Sequence, residues 1–572
     1  MKNLELAKIL NQIADLLEIK EENPFRIRAY RKAAQNLEDI SSEDLEKLVR
    51  EDRLTEVPGI GHDLALKAKE FLSTGKIKLH RDLLKKTPAG FLELMAVPGV
   101  GPKTAKLLSE KLKIKNINQL KRHAAAHKIA GLPGLKEKTE ENIIRGIEFL
   151  KRTRERTPLA VAYYTANHVI ARLEKIPGVN KISAAGSLRR MKETVRDIDI
   201  LVISSHPKKV TDGFVNLSLT REVLAHGATK ASIRSNEGIQ IDLRVVEPSS
   251  FGSALAYFTG SKEHNIKLRK MAVKKGLKIN EYGVFNVKTG RKIAGKTESG
   301  IYELFGLPFI PPEMREDRGE IEAGLNGKLP GLIDVGSIKG DAHVHSNYSD
   351  GADTIEDIAL ACRKIGYEYV VICDHSQSLS IAGGLLPEQL LKKIEQIKKL
   401  NKRLKKIRVL AGAEVDILSD GSLDYKDEIL KQLDFVFAAI HTGFKQTEKQ
   451  LTDRTIKALK NRYVHAIAHP TGRLMEVRDA YKIDLEKIFK VARDTNTALE
   501  ISAFPARLDL NDQACRRAKE EGARLVISTD SHAISQLNNM FFGVSVARRG
   551  WLEKRDVLNT LSLEKLLKAI KK

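Results

Sequence analysis

"GSLRRMKETVRDIDILV", Gly186–Val202, sets an arginine pair, a lysine and two aspartates spaced by one residue just ahead of an apolar run. "DIDILV" reads as a β-strand, and residues two apart on a strand face the same side, so Asp197 and Asp199 project together. Paired carboxylates are costly unless a cation neutralises them, and Mg²⁺ takes oxygen ligands. A third carboxylate, Asp242 in "IQIDLRVV", lies on another predicted strand in like surroundings. Three carboxylates suffice for two metal ions roughly 3.5–4 Å apart, the arrangement that clamps the attacking and leaving oxygens of phosphoryl transfer. Alone, a D-x-D pair more often marks a solvated strand edge, so the rest of the chain has to decide.

At 572 residues the chain exceeds one ordinary core, and several domains are expected. Its net charge of +24, carried despite 74 acidic residues, suits a polyanionic partner, most simply nucleic acid. The three cysteines, Cys362, Cys373 and Cys515, form no C-x-x-C pair, as in a reduced cytoplasmic protein. No apolar run reaches the length of a membrane span, and "MKNLELAKILNQIADLLEIK" reads as an amphipathic helix rather than a signal peptide. A cytoplasmic protein with no membrane partner is expected.

Residues 1–155 read as nearly all helix, with apolar positions recurring at three and four. Within them "VPGIG" at Val57–Gly61 recurs as "VPGVG" at Val97–Gly101 and, degenerate, as "LPGL" at Leu132–Leu135. Glycines in a turn between two helices allow positive φ and leave backbone N–H groups facing an approaching phosphate. The recurrence makes Gly59, Gly61, Gly99 and Gly101 candidate DNA-binding positions in helix-hairpin-helix elements, which resemble sequence-independent DNA-backbone binders. Residues 156–247 alternate helix and strand; 248–317 carry "YFTGS" and "INEYGVF"; the glycine-rich stretch 318–338 reads as a linker. From 339 to 572, apolar runs alternate with helical ones in a βα layout.

Those C-terminal apolar runs repeatedly end in a metal-ligating side chain. "GDAHVHSNYSDG" supplies His343, His345 and Asp350; later runs end at His375, Glu414, His441, His469, Asp530 and His532. Side chains at the carboxyl ends of successive barrel strands converge on one face. Six of the seven histidines after residue 340 fall in this set, and His465, outside it, reads as structural. Imidazole mixed with carboxylate suits Mn²⁺, Zn²⁺ or Fe²⁺ better than Mg²⁺ alone.

Taken in order, "NPFRIRAYRKAAQNL", "VPGIG", "GSLRR…ETVRDIDILV", "IDLRVV" and "YFTGS…HNIKLRKMAVKKGLKINEYGVF" resemble the family X DNA polymerases over residues 1–317. The segment 339–572 resembles the PHP (polymerase and histidinol phosphatase) family. The resemblance implies a multidomain α/β and α+β chain: a lyase-like helical domain (1–84), a fingers-like helix-hairpin-helix domain (85–155), a nucleotidyltransferase-type palm (156–247), a nucleotide-selection domain (248–317), the linker (318–338) and a distorted (β/α)₇ PHP barrel (339–572). It implies that Asp197, Asp199 and Asp242 hold Mg²⁺ or Mn²⁺ and that Asp242 helps activate a primer 3′-hydroxyl. Gly186, Ser187 and Arg190 match the segment on the nucleotide's β and γ phosphates; Tyr257, Phe258 and Gly260 match the segment beside its sugar; Asn265 and Arg269 match the helix lining the nascent base pair.

Two departures matter. Gln240 stands where eukaryotic members carry arginine beside the third aspartate. Lys67 falls at the family's Schiff-base lysine and Tyr30 also matches, but Asp63 and Arg26 replace lysines that would hold a 5′-phosphate, so Lys67 reads as an ordinary DNA-contacting or solvated lysine. The implied PHP ligand set is complete in His343, His345, Asp350, His375, Glu414, His441, His469, Asp530 and His532, for up to three ions. The implied function is a monomeric, gap-filling DNA polymerase of DNA repair, working on gapped or primer-template DNA with dNTPs. A PHP 3′-5′ exonuclease accompanies it, with AP endonuclease or 3′-end processing as a further activity. The alternatives are a structural, inactive PHP scaffold, a template-independent nucleotidyltransferase, and a small-molecule phosphatase in the barrel.

Overall fold

A computed structural model of the chain describes residues 2–571 other than 21, 39–41, 58, 89 and 155, so Pro58 of the first hairpin lies outside the described residues. The chain divides into two compact units, Met1–Arg154 with Glu476–Arg478, and Glu155–Met475 with Asp479–Lys572.

The first unit is helical. Apolar residues at three- and four-residue spacing, from Leu6 to Ile147, form one cluster that crosses the 84/85 boundary read from sequence. The two good hairpins have similar backbone angles at their glycines. Gly59 and Gly99 sit at φ +76° and +89°, where a side chain would be strained. Gly61 and Gly101 cap the helices His62–Thr74 and Pro102–Lys111 with φ −78° in both. Gly134 of the degenerate copy is also at positive φ, +77°.

The second unit begins with the palm: β1 (Val179–Ala184), β2 (Asp197–Ser204), β3 (Thr220–His226), β4 (Lys230–Ser235) and β5 (Gln240–Val245). They form one sheet in the order β1-β2-β5-β4-β3, with β2 and β5 parallel. Alternation along β2 buries Ile198 and Ile200 and turns Asp197 and Asp199 to the other face. A short three-stranded sheet follows: β6 (Leu277–Asn280), β7 (Gly283–Asn286) and β8 (Lys292–Ala294).

Seven parallel strands then run in sequence order: β9 (Gly340–Val344), β10 (Tyr369–Ile372), β11 (Arg408–Asp416), β12 (Phe435–Ala439), β13 (Ala466–Ile467), β14 (Ala498–Ser502) and β15 (Leu525–Ser528). They are buried almost throughout, as strands covered on both faces must be, and the polar residues among them, such as His343, Glu414 and Glu500, serve the site. The barrel nearly closes. Val344 and Ser531 bridge the first and last strands at the site end. Lower down, the Asn559 amide spans the seam, donating to Gly340 O (2.8 Å) and Ile527 O (2.7 Å) and accepting from Ile527 N (3.0 Å).

Residues 318–338, read from sequence as a linker, are packed. Glu320 is fully buried, accepts from Asp317 N (2.9 Å) and Arg318 N (2.7 Å), and pairs with His264 Nδ1 at 2.6 Å. Ile333 is buried and its N–H bonds Leu552 O at 3.0 Å. The glycines that read as flexibility here serve turns between buried anchors. The palm helix Leu159–Leu173 likewise meets the barrel helix Met540–Arg549, with the Tyr163 ring 5.1 Å from that of Phe541 and 5.7 Å from that of Phe542.

Candidate active sites

In the palm, strand register builds the first cluster. Asp199 on β2 lies directly beside Asp242 on β5, and Asp197 beside Gln240. Burial, then the neighbouring Asp197 and Asp242 charges, push the Asp199 carboxyl up to about 7. Burial and the Asp242 charge raise Asp197 as well. Ser232 Oγ donates to Asp242 Oδ1 and the Gln240 amide donates to Asp242 Oδ2 at 3.0 Å, so the departing glutamine orients the third carboxylate. Crowded carboxylate oxygens of this kind fit Mg²⁺ or Mn²⁺.

Gly186 has to be glycine: its φ is +65° and a Cβ there would lie 2.5 Å from Asp199 Oδ2. The turn of helix it opens, Gly186–Arg189, carries Ser187 and leads to Arg190. Arg190 is nine-tenths buried. Its Nε donates to Glu316 Oε1 (2.9 Å) and its Nη1 to Thr259 O (2.5 Å). Arg189 is used differently from a nucleotide contact, forking onto Glu298 at 2.8 and 2.7 Å. Tyr257 and Phe258 end the helix Phe251–Thr259 with their rings edge-on at 5.2 Å, and Gly260 follows beside the Arg190 guanidinium. Asn265 donates to Tyr257 O at 2.8 Å, and Arg269 stands one turn further along the exposed face of Lys262–Lys274.

The barrel gathers all nine predicted ligands at the carboxyl ends of its strands. Glu414 is central: its Oε2 lies 2.9 Å from His375 Nδ1, 3.6 Å from His343 Nε2 and 3.7 Å from His345 Nε2, and its Oε1 2.9 Å from His469 Nε2 and 3.3 Å from His441 Nε2. Asp350 lies 3.6 Å from His375 Nε2 and 3.5 Å from His532 Nε2; Asp530 lies 3.2 Å from His345 Nε2. Three groups of ligand atoms have metal-like spacing: His345, Asp350, His375 and His532; His343, His345 and Asp530; His375, Glu414 and His441. Buried ring nitrogens His345 Nδ1 and His469 Nδ1 have no hydrogen-bond partner, which fits a metal as their companion.

Electrostatics in the barrel are mixed. Against burial, the imidazoles of His441, His375 and His343 hold Glu414 well below the usual carboxylate range. Burial and the neighbouring His532 and His375 push His345 down to about 4, whereas Glu414 and Asp350 overcome burial and lift His375 to about 10.

Sequence reasoning missed the groups behind these ligands. Glu500 on β14 accepts from His343 Nδ1 (2.8 Å) and from His469 N (2.5 Å); Asp416 accepts from His441 Nδ1 (2.6 Å). A ligating histidine usually bonds a carboxylate through its other nitrogen, and a glutamate inside the apolar run "ALEISA" was the legible signal. Arg507, with Nε 3.4 Å from Asp530 Oδ2, adds a cation at the wall of the site. His465 stands apart, its Nδ1 accepting from Val436 N at 2.9 Å.

In the helical unit, nothing lies within 4 Å of a Cβ placed on Gly61, Gly99 or Gly101, so those backbones are open to an approaching ligand. Lys67 is not poised: its Nζ lies 2.5 Å from Asp63 Oδ1, and the Tyr30 ring centroid is 6.0 Å away.

Comparison with known proteins agrees with this layout. Family models match for a helix-hairpin-helix domain (residues 1–77), a SAM-like helix-hairpin-helix tandem (91–148), the DNA polymerase beta thumb (254–316) and the PHP domain (341–503). A Bacillus subtilis protein named DNA polymerase/3′-5′ exonuclease PolX is 40% identical over 566 residues, 99% of this chain and 98% of that protein. The chain belongs to the PolX family. Within this PolX-family chain the barrel alone also resembles an Acetivibrio thermocellus protein named a probable phosphatase, 30% identical over 201 residues, 34% of this chain and 78% of that one. A solved Leishmania infantum polymerase beta ternary complex is 21% identical and covers 40% of this chain and 98% of that one, with a TM-score of 0.27.

Proposed function

We propose that this chain fills short gaps in DNA at Asp197, Asp199 and Asp242 and trims DNA 3′ ends in its barrel. The observation that carries the reading is the presence of both clusters, the Asp199–Asp242 register in the palm and the barrel's three metal-spaced groups, which take in eight of the nine predicted ligands, in a chain matching a named polymerase/exonuclease over 99% of its length.

In synthesis, the primer 3′-hydroxyl oxygen attacks the α-phosphorus of a dNTP, the bond to the β-phosphate oxygen breaks and pyrophosphate leaves. Asp242, fixed by Ser232 and Gln240, is the carboxylate that receives the hydroxyl proton. Ser187 and Arg190 bind the departing phosphates, while Tyr257 and Phe258 crowd the sugar and Asn265 and Arg269 face the base pair. Asp197, Asp199 and Asp242 would hold Mg²⁺ or Mn²⁺, which would supply positive charge against the developing negative charge on the phosphate oxygens. In trimming, water adds to the terminal phosphodiester and the 3′ oxygen of the preceding nucleotide leaves with a proton. Up to three Mn²⁺, Zn²⁺ or Fe²⁺ ions in the barrel supply water activation and charge. The exposed hairpin backbones at Gly59, Gly61, Gly99 and Gly101 bind DNA phosphates without reading bases.

The test is primer extension and degradation on gapped DNA, with and without dNTPs, in Mg²⁺ and in Mn²⁺. Extension and dNTP-independent shortening are expected. Absent shortening with Mn²⁺, Zn²⁺ and Fe²⁺ would leave the barrel a scaffold, and extension without a template would make the palm a template-independent transferase. The likeness of the barrel to probable phosphatases favours a second activity on blocked ends. Phosphate release from DNA ending in a 3′-phosphate, or cleavage at an abasic site, tests it.

A further inference from the structure

Arg190, the residue assigned to the triphosphate, is held from the barrel through its own carbonyl and through Glu316. Among the described residues its charged hydrogen-bond partner is Glu316, whose Oε1 accepts from Arg190 Nε at 2.9 Å. The same oxygen accepts from Arg549 Nη1 at 3.0 Å, and that Nη1 also donates to the Arg190 carbonyl at 2.6 Å. Arg549 ends the barrel helix Met540–Arg549, is 4% exposed, and has its Nη2 fixed by Asp512 at 2.7 Å. Asp512 in turn accepts from Arg318 at 3.0 Å. Further along the same palm segment, the barrel's Arg473 holds Glu193 at 2.7 Å. The segment between Gly186 and Asp197 is therefore seated on the barrel at two points.

We infer that Arg549 of the barrel is a positioning residue for the polymerase site, holding Arg190 in place and neutralising Glu316 so that the Arg190 charge is left for the nucleotide's phosphates. With Arg549 removed, Glu316 is balanced by Arg190 and, at 3.7 Å, Lys192. An incoming triphosphate then competes with a buried carboxylate for one guanidinium, and the Arg190 carbonyl loses its fixed donor. The inference rests on the polymerase reading above.

The experiment uses the full chain on a one-nucleotide gap, comparing wild type with Arg549→Met, Arg549→Lys and Asp512→Asn. KM for dNTP, kcat and shortening of a 3′ end are measured on each preparation. Arg549→Met is expected to raise KM for dNTP about tenfold or more, with shortening unchanged. Arg549→Lys recovers part of the effect, because one ammonium can replace the Nη1 contacts to Glu316 and the carbonyl but lacks the second arm that Asp512 fixes through Nη2. Arg548→Met is the control: it cuts neighbouring contacts to Glu313 (2.7 Å) and Ile333 O (2.8 Å) without touching Arg190, and is expected to leave KM alone. A wild-type KM in Arg549→Met, an equal rise in Arg548→Met, or parallel loss of synthesis and shortening overturns the inference. If Arg549→Met does not fold, Asp512→Asn decides it: a raised KM supports the inference and an unchanged one sinks it. If wild-type protein adds no nucleotide, the polymerase reading falls first and is recognised as such.

Discussion

In the palm, Asp197, Asp199 and Asp242 face one another with Arg244 and Arg190 as the nearby cations, and Asp199 is pushed up to about 7. In the barrel, Glu414 is ringed by imidazoles that hold it well below its usual range despite burial. The first cluster sets carboxylates against one another; the second sets Glu414 among imidazoles and carries its own carboxylate supports in Glu500 and Asp416. The palm cluster thus fits metals that arrive with substrate phosphates, whereas the barrel cluster fits ions that protein side chains alone can hold.

The widest separation between the two sites should come from Asp242→Ala. In the proposed mechanism its loss removes both a metal ligand and the proton acceptor, and nucleotide addition should fall by about four orders of magnitude. Shortening of 3′ ends, measured on the same preparation, should stay within a factor of about two, since no ligand is shared. Near-normal extension would mean the triad is misassigned.

From the other side, His343→Ala, Glu414→Ala and His441→Ala should each remove shortening almost as fully as the three together, because groups acting as one unit are non-additive. Extension should persist. Glu500→Gln should do less, about 10–100-fold in activity or metal affinity, as it acts through His343. Bound metal measured on each variant separates lost ions from lost folding.

How much of this was legible in the sequence follows from distance along the chain. Asp197, Asp199 and the nine barrel ligands announce themselves because strand alternation and strand ends are local patterns. Glu500, Asp416 and Asn559 do not, since each is a single polar residue whose partner lies on another strand. Arg549 is less legible still: nothing in "VSVARRG" points to a palm loop 359 residues away, and only the packed helix Met540–Arg549 brings it there. Composition misleads at 318–338, where glycine reads as slack and buried Glu320 and Ile333 make it an interface.

The helical unit gives smaller effects. Gly61→Ala and Gly101→Ala meet no atom within 4 Å and have ordinary φ, so they should fold and yet weaken binding to gapped DNA several-fold by blocking a phosphate. The loss should be the same for every sequence. Gly59→Ala and Gly99→Ala add strain at positive φ, costing about 1 kcal/mol each in stability. Binding that weakens for particular sequences alone would point to base contacts instead.

The smallest effect is expected at Lys67. A Schiff-base lysine must present an uncharged amine to the sugar aldehyde, and this one is paired with Asp63 Oδ1 at 2.5 Å with its side chain only 13% exposed. Asp63 occupies the Lys67 amine at this distance, and its negative charge does not favour the approach of a 5′-phosphate. Lys67→Ala should therefore leave abasic-site processing within a factor of about two, since the lysine takes no part in the step. Borohydride reduction of wild-type protein with a 5′-deoxyribose phosphate end should trap little adduct. An adduct that forms readily in the wild type and vanishes in Lys67→Ala would show that the Asp63 pair opens when DNA binds, and would turn this lysine from a contact into a nucleophile.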